Sequence, residues 1–469
     1  MTVFDEIVLK KDSETPLYRQ LSDVISAFIE NGALKPETKL PPIRTLAKML
    51  NVNAITVVNA YRYLENHQYV YSLVGSGTYV SELRETALPL PILKNEYNAT
   101  RAVSGDLSQY INFADTATLS SLFPVDAFKE AFEAVLTRDG GAAFDYQDSQ
   151  GYAPLREILC QLLGGVSVKA QPEQIQIISG AQQGLDILAK ALLNPSDTLL
   201  VECPTFYGAV GAFALRGPRV VEIPLETDGP DPERLETLLK INKPKAMYLM
   251  PNFQTPTGVS YSPERKRSVL ELAYKYGVYI IEEDSQNDFY YDNKKRIPLK
   301  ALDYRNQVIF IKSFSKALMP GLRMGFMVCP KKIGVAAVKR NTDIATSGYI
   351  QRAFDLYLRG GGYAPHIARM RAVYKRRYQK TLAAARKHLM DFTNFEPQNG
   401  GLSFWFTVKQ ATEDIESLCA RFLQQKVIVS PGSLFSAREP AFRVSFAAVP
   451  EGLIGEGFKK IAAVMKRCV

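Results

Sequence analysis

The sequence is poor in the residues that build metal sites and disulfide frameworks. It has three histidines and five cysteines in 469 residues. The cysteines are far apart and never in CxxC spacing, so we expect reduced thiols, as in a cytoplasm, and no metal site. They are Cys160, Cys203, Cys329, Cys419 and Cys468.

Long hydrophobic runs are also absent. No stretch of about 18 uninterrupted apolar residues occurs, so we predict no membrane-spanning helix. The N-terminal sequence MTVFDEIVLKKDSE has no apolar signal-peptide core, which predicts a cytoplasmic protein. Apolar residues nevertheless make up 46% of the chain, as in folded globular proteins. At roughly 100–200 residues per domain, the length predicts two to four domains.

The net charge of +9 is unevenly distributed along the chain. Residues 1–80 contain eight basic and eight acidic groups and are therefore neutral. Positions 365–390 contain eight basic residues and no acidic one, which accounts for almost the whole excess. Such a run is typical either of a solvated helix face or of a surface that binds an anionic partner.

The first 80 residues predict three helices followed by a β-hairpin. Apolar residues recur at helical spacing after Thr15-Pro16, and Pro41-Pro42 opens a second helix. A four-residue break at 51–54 leads into a third helix at 55–66. Short runs at 69–71 and 78–80 flank a Gly-Ser-Gly turn. Two short helices joined by a tight turn are a helix-turn-helix, and the hairpin adds a wing.

The rest of the chain predicts a linker and an α/β domain. Residues 81–109 have mixed charge, two prolines and no periodicity, which indicates a linker. From 110 to 469, apolar runs alternate with helical patterns, which predicts a mainly parallel sheet with ligands at the carboxyl ends of its strands. The runs lie at 175–178, 198–201, 246–250, 278–281 and 308–311.

The chemically most informative segment is SFSKALMPGLRMG at 313–325, directly after a predicted buried strand. A lysine in a dry, polar-lined cleft has a lowered pKa and can form a Schiff base with an aldehyde, and Lys316 is that candidate. Ser313, Ser315 and Arg323 would bind a phosphate beside it. The alternative is that Lys316 is an ordinary surface lysine.

This segment resembles the lysine motif of fold-type-I aminotransferases, which bind pyridoxal 5'-phosphate (PLP). Further segments resemble the same family, in order, over residues 110–469. They are FDYQ at 144–147, SGAQQ at 179–183, CPTFYG at 203–208 and FRVSF at 442–446. The resemblance implies a phosphate-binding turn at Gly180, Ala181 and Gln182, a ring-stacking Phe206, a Tyr146 that reaches the partner subunit's cofactor, and an Arg443 that holds an amino-acid carboxylate.

The sequence departs from this family at three places. Thr255 stands where the family has a cofactor-binding asparagine, and Asn252 lies three residues earlier. Either Glu283 or Asp284 corresponds to the acid that pairs with the pyridine nitrogen. Successive strand residues face opposite ways, so one of the two serves, and side-chain length slightly favours Asp284. The usual tyrosine three residues after the acid is replaced by Gln286 or Asn287. These losses indicate a retained cofactor site with relaxed catalysis.

The first 80 residues resemble the winged helix-turn-helix of the GntR superfamily, through segments 39–44, 46–47, 56–61 and 75–80. The resemblance implies that the third helix enters the major groove of double-stranded DNA. Many relatives have an arginine where this chain has Ala54, which leaves the base-reading residue open. A protein-interaction winged helix is the alternative, since this region is neutral. The candidate DNA contacts are Arg44, Asn53, Thr56 and Asn59, with Ser76, Gly77 and Thr78 on the wing.

The whole chain resembles the MocR subfamily of transcriptional regulators. The resemblance implies a PLP-containing, domain-swapped, head-to-tail homodimer that binds an operator. We predict that an amine or amino-acid effector exchanges with Lys316 as aldimine partner and is held by Arg443, with at most weak residual transaminase activity. The alternatives are an active aminotransferase with an added DNA-binding domain and a sensor of PLP itself. We also predict that the basic segment contacts DNA phosphates through Arg376 and Arg377.

Overall fold

The computed structural model describes residues 3–7, 9, 16–30, 33–35, 38–66, 69–73, 77–80, 109–410 and 413–468. The chain divides into two compact units, residues 1–89 and 90–469. Apart from Gln109, the predicted linker lies outside the described residues. Each unit is therefore considered by itself.

The N-terminal unit is a winged helix-turn-helix. Its elements are α1 (Leu17–Glu30), α2 (Ile43–Met49), α3 (Ala54–Asn66), β1 (Val70–Leu73) and β2 (Gly77–Val80). The two strands pair antiparallel. On α3, Val57, Ala60 and Leu64 are fully buried and recur at helical spacing. These residues pack against Leu21 and Leu46 in one apolar cluster, so this unit has a core of its own.

The C-terminal unit alternates strands and helices. Its strands are β3 (Ile111–Asn112), β4 (Ile175–Ile178), β5 (Thr198–Cys203), β6 (Arg219–Glu226), β7 (Gly229–Pro230), β8 (Ala246–Leu249), β9 (Tyr279–Glu283), β10 (Val308–Ser313), β11 (Gly325–Val328), β12 (Thr393–Asn394), β13 (Ser403–Val408), β14 (Val427–Ile428), β15 (Ser430–Pro431) and β16 (Ala441–Ser445). Each of the five predicted apolar runs overlaps one of these strands.

The helices of this unit are α4 (Val125–Asp139), α5 (Ala153–Gly164), α6 (Ala181–Leu192), α7 (Tyr207–Ala214), α8 (Pro232–Asn242), α9 (Pro263–Tyr276), α10 (Leu299–Leu302), α11 (Val335–Asp343), α12 (Gly348–Arg359), α13 (Tyr363–His388), α14 (Ile415–Gln424) and α15 (Ile454–Cys468). Local sequence fixes several ends. The hydroxyl of Ser262 accepts from the Arg265 N–H at the start of α9, and Gly277 ends this helix with φ 66°.

The central sheet confirms the predicted α/β fold with mainly parallel strands. Its order is β4-β11-β10-β9-β8-β5-β6-β7. Strands β10, β9, β8, β5 and β6 are mutually parallel, whereas β11 and β7 run antiparallel to their neighbours. Since parallel strands end at one edge, the segments that follow β4, β5, β8, β9 and β10 meet there.

A second, antiparallel sheet lies later in the chain, in the order β12-β13-β16-β15. In its register Arg443 of β16 stands opposite Trp405 of β13 and Ser430 of β15. This sheet therefore positions the arginine that the sequence assigned to a carboxylate.

Candidate ligand cavity and DNA-reading surface

A cavity of ≈ 210 Å³ lies at the carboxyl ends of the central strands. It brings together ten residues predicted from the sequence: Ala181, Gln182, Phe206, Thr255, Glu283, Ser313, Ser315, Lys316, Arg323 and Arg443. Seven lining residues were not predicted as site residues: Thr116, Tyr207, Met250, Ser285, Gln286, Leu402 and Ser403. Most of the predicted ligand site is thus a single cavity.

Lys316 is half-buried at the cavity wall, three residues after β10. Its amine donates to the carbonyl oxygen of Thr116 at 3.3 Å and to the Thr116 hydroxyl. The low polarity around this amine lowers its pKa to about 8, although the charges of Asp115 and Glu283 act in the opposite direction. About a tenth of the amine is therefore neutral and nucleophilic at pH 7, far more than for a lysine with an ordinary pKa.

One side of the cavity, which we call the anion side, consists of hydrogen-bond donors. It comprises the N-terminus of α6, Ser313, Ser315 and Arg323. The two serine hydroxyls are 3.1 Å apart, and Arg323 donates to the Ser179 carbonyl at 2.9 Å. Gly180 precedes α6 with φ 89°, and a Cβ there would lie 2.5 Å from Arg323 Nη2. Only glycine allows the guanidinium to lie against this helix terminus.

A second group of lining residues, which we call the ring side, comprises Glu283, Thr255 and Gln286. The Tyr248 hydroxyl donates to Glu283 Oε2 at 2.7 Å, and burial raises the pKa of Glu283. Gln286 Nε2 donates to the Thr255 hydroxyl at 2.7 Å, and Gln286 Oε1 accepts from the Leu402 N–H at 2.9 Å. Gln286 is thus fixed by two protein partners.

Four predicted cofactor residues do not line this cavity: Asp284, Asn252, Gly180 and Tyr146. Gly180 adjoins it at the start of α6, whereas Asp284 and Asn252 contact other parts of the protein. The sequence slightly favoured Asp284, but its side chain accepts from Asn287 Nδ2 at 3.1 Å and lines a different cavity, together with Lys312. Glu283 occupies the first cavity because neighbouring strand residues face opposite ways. Asn252 is buried, and its Oδ1 accepts from Lys266 Nζ of α9 at 2.6 Å. The geometry therefore contradicts the assignments of Asp284 and Asn252.

Arg443 is 2% exposed and lines the cavity. Its Nη2 donates to the Ala114 carbonyl at 2.8 Å and to the Ser430 hydroxyl at 3.1 Å. Its guanidinium lies 5.0 Å from the ring centroid of Phe435. Burial lowers the pKa of Arg443 to about 9. A cation in such neutral surroundings favours binding of an anion.

The two predicted aromatic residues differ in position. Phe206 is half-buried, lines the cavity and packs against Tyr207. A Cβ at Gly208 would lie 2.6 Å from the Phe206 ring, so glycine leaves room for that ring. Tyr146 is 89% exposed and does not line the cavity of its own chain. Its predicted reach to a partner subunit stays a prediction.

The outward face of α3 presents a narrow stripe of exposed side chains at positions 55, 59 and 62. Asn59 was predicted, whereas Ile55, which is 65% exposed, and Arg62 were missed. The spacing of positions 55, 59 and 62, four and then three residues apart, already indicated that their side chains share one face of the helix. Asn53 is exposed, and its Oδ1 accepts from the Ile55 N–H at 2.9 Å, which caps the helix. Thr56 is half-buried.

The remaining predicted DNA contacts of this unit lie on α2 and the wing. Arg44 is exposed on α2. Gly77 is exposed with φ 128°, and a Cβ there would lie 2.9 Å from Lys39 Cε. Thr78 is half-buried, and its carbonyl accepts from the Leu40 N–H at 2.8 Å. Ser76 lies outside the described residues.

The basic segment, residues 365–390, forms most of α13. One of the two DNA contacts predicted for it is wrong. Arg377 is 5% exposed and donates to the Ala447 carbonyl, so it cannot contact phosphates. Arg376 is exposed, but both Arg376 and Lys380 pair with Glu451 at 3.2 Å. The excess charge at this surface is therefore smaller than the sequence indicates. A DNA contact by Arg376 stays a prediction.

Comparison with known proteins identifies both units. The family model "Aminotransferase class I and II" matches residues 110–461. The chain belongs to the aminotransferase class I and II family. The model "Bacterial regulatory proteins, gntR family" matches residues 17–80, which agrees with the winged helix described above.

Relatives of this aminotransferase-family chain include enzymes and regulators. The 2-aminoadipate transaminase of Thermus thermophilus is 31% identical over 367 residues, 76% of this chain and 90% of the relative. The probable rhizopine catabolism regulatory protein MocR of Rhizobium meliloti is 28% identical over 422 residues, 87% of this chain and 85% of the relative. GntR-type and aminotransferase-like units in one chain are the MocR architecture, as predicted.

A solved structure supports the predicted cofactor. The crystal structure of LysN, an alpha-aminoadipate aminotransferase from Thermus thermophilus, contains N-(5'-phosphopyridoxyl)-L-leucine. It superposes with a TM-score of 0.72 at 28% identity and covers 79% of this chain and 97% of that chain. The prediction that this aminotransferase-family chain binds PLP is thereby confirmed.

The residues of the cavity fit PLP. The anion side offers two hydroxyls, a guanidinium and the free N–H groups of a helix N-terminus, a donor set suited to a phosphate. The close approach of Arg323 to Gly180 makes that set compact. Lys316 supplies an amine, and Glu283 supplies a carboxyl group on the ring side.

Among the described residues, no helix has the length and apolar character needed to cross a membrane.

Proposed function

We propose that this chain is a DNA-binding transcriptional regulator whose aminotransferase-like unit senses a small amine or amino acid. The observation that supports this most directly is that Lys316 and Arg443 line the same cavity as the anion side. The cavity thereby combines groups suited to an amine, a carboxylate and a phosphate. PLP would occupy the groups suited to a phosphate. An amino acid would then supply the amine and the carboxylate that the other groups bind.

Each residue of the cavity has a defined task in this proposal. When bound, PLP supplies an aldehyde that condenses with a primary amine. Lys316, whose pKa is lowered to about 8 by burial, provides the protein's own neutral amine. The buried guanidinium of Arg443 holds the carboxylate of the effector through paired hydrogen bonds. Phe206, which lines the cavity, would pack against the cofactor ring.

The ring side favours sensing over turnover. Thr255 and Gln286 hydrogen-bond to each other, at positions where the resemblance places an asparagine and a tyrosine on the cofactor. Neither an amide nor an aliphatic hydroxyl has the acidity of a phenol. We propose that these residues leave any transaminase activity weak, so that effector binding serves as a signal.

We further propose that the regulator works as a head-to-tail homodimer on an operator with two half-sites. Tyr146 is 89% exposed, as a residue that contacts a partner subunit must be before assembly. A dimer presents two α3 helices to successive major grooves. An effector that has different affinities for two dimer conformations would shift their populations and so alter DNA binding.

The proposal is tested with the full chain loaded with PLP. Amines, amino acids and small peptides are titrated while the cofactor absorbance is recorded, and keto-acid formation is measured in the same samples. Each compound that changes the absorbance is then tested for its effect on affinity for DNA selected by this chain from a random library. We expect an absorbance change and a change in DNA affinity without keto-acid turnover.

The matched control is Arg443→Lys, which keeps the charge but not the paired donors. It should weaken compounds with a carboxylate by roughly tenfold or more and leave simple amines unaffected. Continuous keto-acid production would instead establish an aminotransferase with an added DNA-binding domain. If PLP alone changes DNA affinity and no amine does, the chain senses PLP itself.

A further inference from the structure

The aminotransferase-like unit begins with a segment that contacts both Lys316 and Arg443. We call residues 111–118 the strap. The strap begins two residues after the end of the predicted linker 81–109. Nothing in the local sequence of the strap indicated a functional role.

Two contacts join the strap to the ligand-binding groups. The Lys316 amine donates to the carbonyl and hydroxyl oxygens of Thr116. Arg443 Nη2 donates to the carbonyl oxygen of Ala114 at 2.8 Å. In the proposed function, Lys316 is the amine that reacts with PLP and Arg443 binds the carboxylate of the effector.

Other contacts of the strap do not depend on those groups. The N–H of Ile111 donates to the Lys426 carbonyl at 2.9 Å, and the N–H of Phe113 donates to the Ile428 carbonyl at 2.8 Å. The Thr118 hydroxyl donates to the main-chain oxygen of Lys316 at 2.8 Å. The strap is therefore held at both ends by fixed structure and in the middle by two side chains.

We propose that the mobility of the strap is coupled to occupancy of the ligand cavity, because ligand engagement of Lys316 and Arg443 competes with their hydrogen bonds to Thr116 and Ala114. An amine that condensed with an aldehyde would give up two N–H hydrogens, which leave with the aldehyde oxygen as water, and with them the donors that hold it beside Thr116. A guanidinium that turns both donors of one edge towards a carboxylate gives up one of its two Nη2 hydrogen bonds, to the Ala114 oxygen or to the Ser430 hydroxyl. This inference rests on the proposed function and specifies how regulation begins.

Thr116 is a positioning residue in this scheme, since it acts through Lys316. Once Lys316 and Arg443 release the middle of the strap, only its ends are held. Opening of residues 114–116 then requires fewer broken bonds, so these residues exchange amide hydrogens faster. The N–H groups of Ala114, Asp115 and Ala117 donate to side chains within the strap, those of Asn112 and Asp115. Their exchange therefore reports on the strap itself.

The test is hydrogen exchange of residues 111–118 in the full chain, followed by mass spectrometry, with and without PLP. We expect PLP to accelerate exchange roughly tenfold, the factor for one broken hydrogen bond to a charged group. Thr116→Val should accelerate exchange without PLP and abolish most of the PLP effect. Thr118→Val, the matched control, should loosen the strap but preserve the PLP effect, because the Thr118 hydroxyl donates to the main chain of Lys316 and not to its amine.

Unchanged exchange in the strap, with PLP attachment verified by absorbance, would overturn the coupling. Equal PLP effects in wild type and Thr116→Val would overturn the role of Thr116. Because this test needs no effector, failure to find an amine ligand would refute the proposed function without affecting its result.

Discussion

The anion side and the ring side of the cavity differ in how they relate to the aminotransferase family. On the anion side, Ser313, Ser315 and Arg323 line one cavity and Gly180 lies against Arg323, as the sequence resemblance to the family's phosphate-binding segments predicts. On the ring side, Thr255 and Gln286 replace the residues expected to contact the cofactor ring. One cavity thus combines a retained half with an altered half.

The difference follows from what each half does. Phosphate binding needs many fixed donors, and a missing donor leaves the anion weakly held. Transamination additionally needs groups that stabilise charge developing on the ring. A sensor requires the first property and not the second. Gln286 illustrates the change, because its hydrogen bonds to Thr255 and Leu402 stabilise the protein and leave no acidic proton for the ring.

The largest expected effect concerns Lys316, which lines the same cavity as both sides. Lys316→Ala should abolish covalent attachment of PLP, measured as the mass increase after borohydride reduction. Lys312→Ala is the matched control, since Lys312 lies on the strand that leads to Lys316 but pairs with Asp288 and lines the other cavity. Attachment that persists in Lys316→Ala would refute our assignment of the reactive lysine.

The next prediction compares the two sides directly. Arg323→Ala should weaken PLP binding by roughly ten- to a hundredfold, since a hydrogen bond to a charged group is worth about 1.5–3 kcal/mol. Gln286→Ala should change the affinity much less, because the protein already uses both polar ends of this amide. Affinity is measured by equilibrium dialysis of PLP. Equal reductions in both variants would remove the distinction between the sides.

A third prediction reverses the alteration on the ring side. The double substitution Thr255→Asn and Gln286→Tyr should raise keto-acid formation by roughly tenfold, the effect of about 1.4 kcal/mol of added transition-state stabilisation. Thr255→Ser with Gln286→Asn serves as the control, because it changes the same positions without adding a phenol. If the double variant stays at the wild-type level, the ring side is not what limits catalysis.

Much of the fold followed from the sequence, because apolar runs of strand length and helix caps are local signals. All five predicted strands exist, and the third helix of the winged domain begins one residue before the predicted start. The sequence did not show whether Glu283 or Asp284 enters the PLP cavity. Two adjacent acids at the end of a strand face opposite sides of the sheet, and only the register of the strand decides which of them faces the cavity. Asn252 was misassigned because its partner, Lys266, lies on a helix distant in sequence.

The error at Arg377 was avoidable. Met370, Tyr374 and Thr381 of α13 are fully buried, and Arg377 falls at the same helical spacing between them. The charge run concealed this apolar stripe. Thr116 had no comparable local signal, since its contact with Lys316 joins residues 200 positions apart.

The smallest expected effect is the pH dependence of PLP attachment. Burial lowers the pKa of Lys316 to about 8, so below this pH the amine is increasingly protonated and cannot attack an aldehyde. The attachment rate should therefore rise about fivefold between pH 7 and pH 8 and level off above it. N-acetyl-lysine methylamide, a free amine with an ordinary pKa, should keep accelerating up to about pH 10. A protein profile that follows this compound would show that burial does not activate Lys316, and the retained half would then bind PLP without preparing its reactive amine.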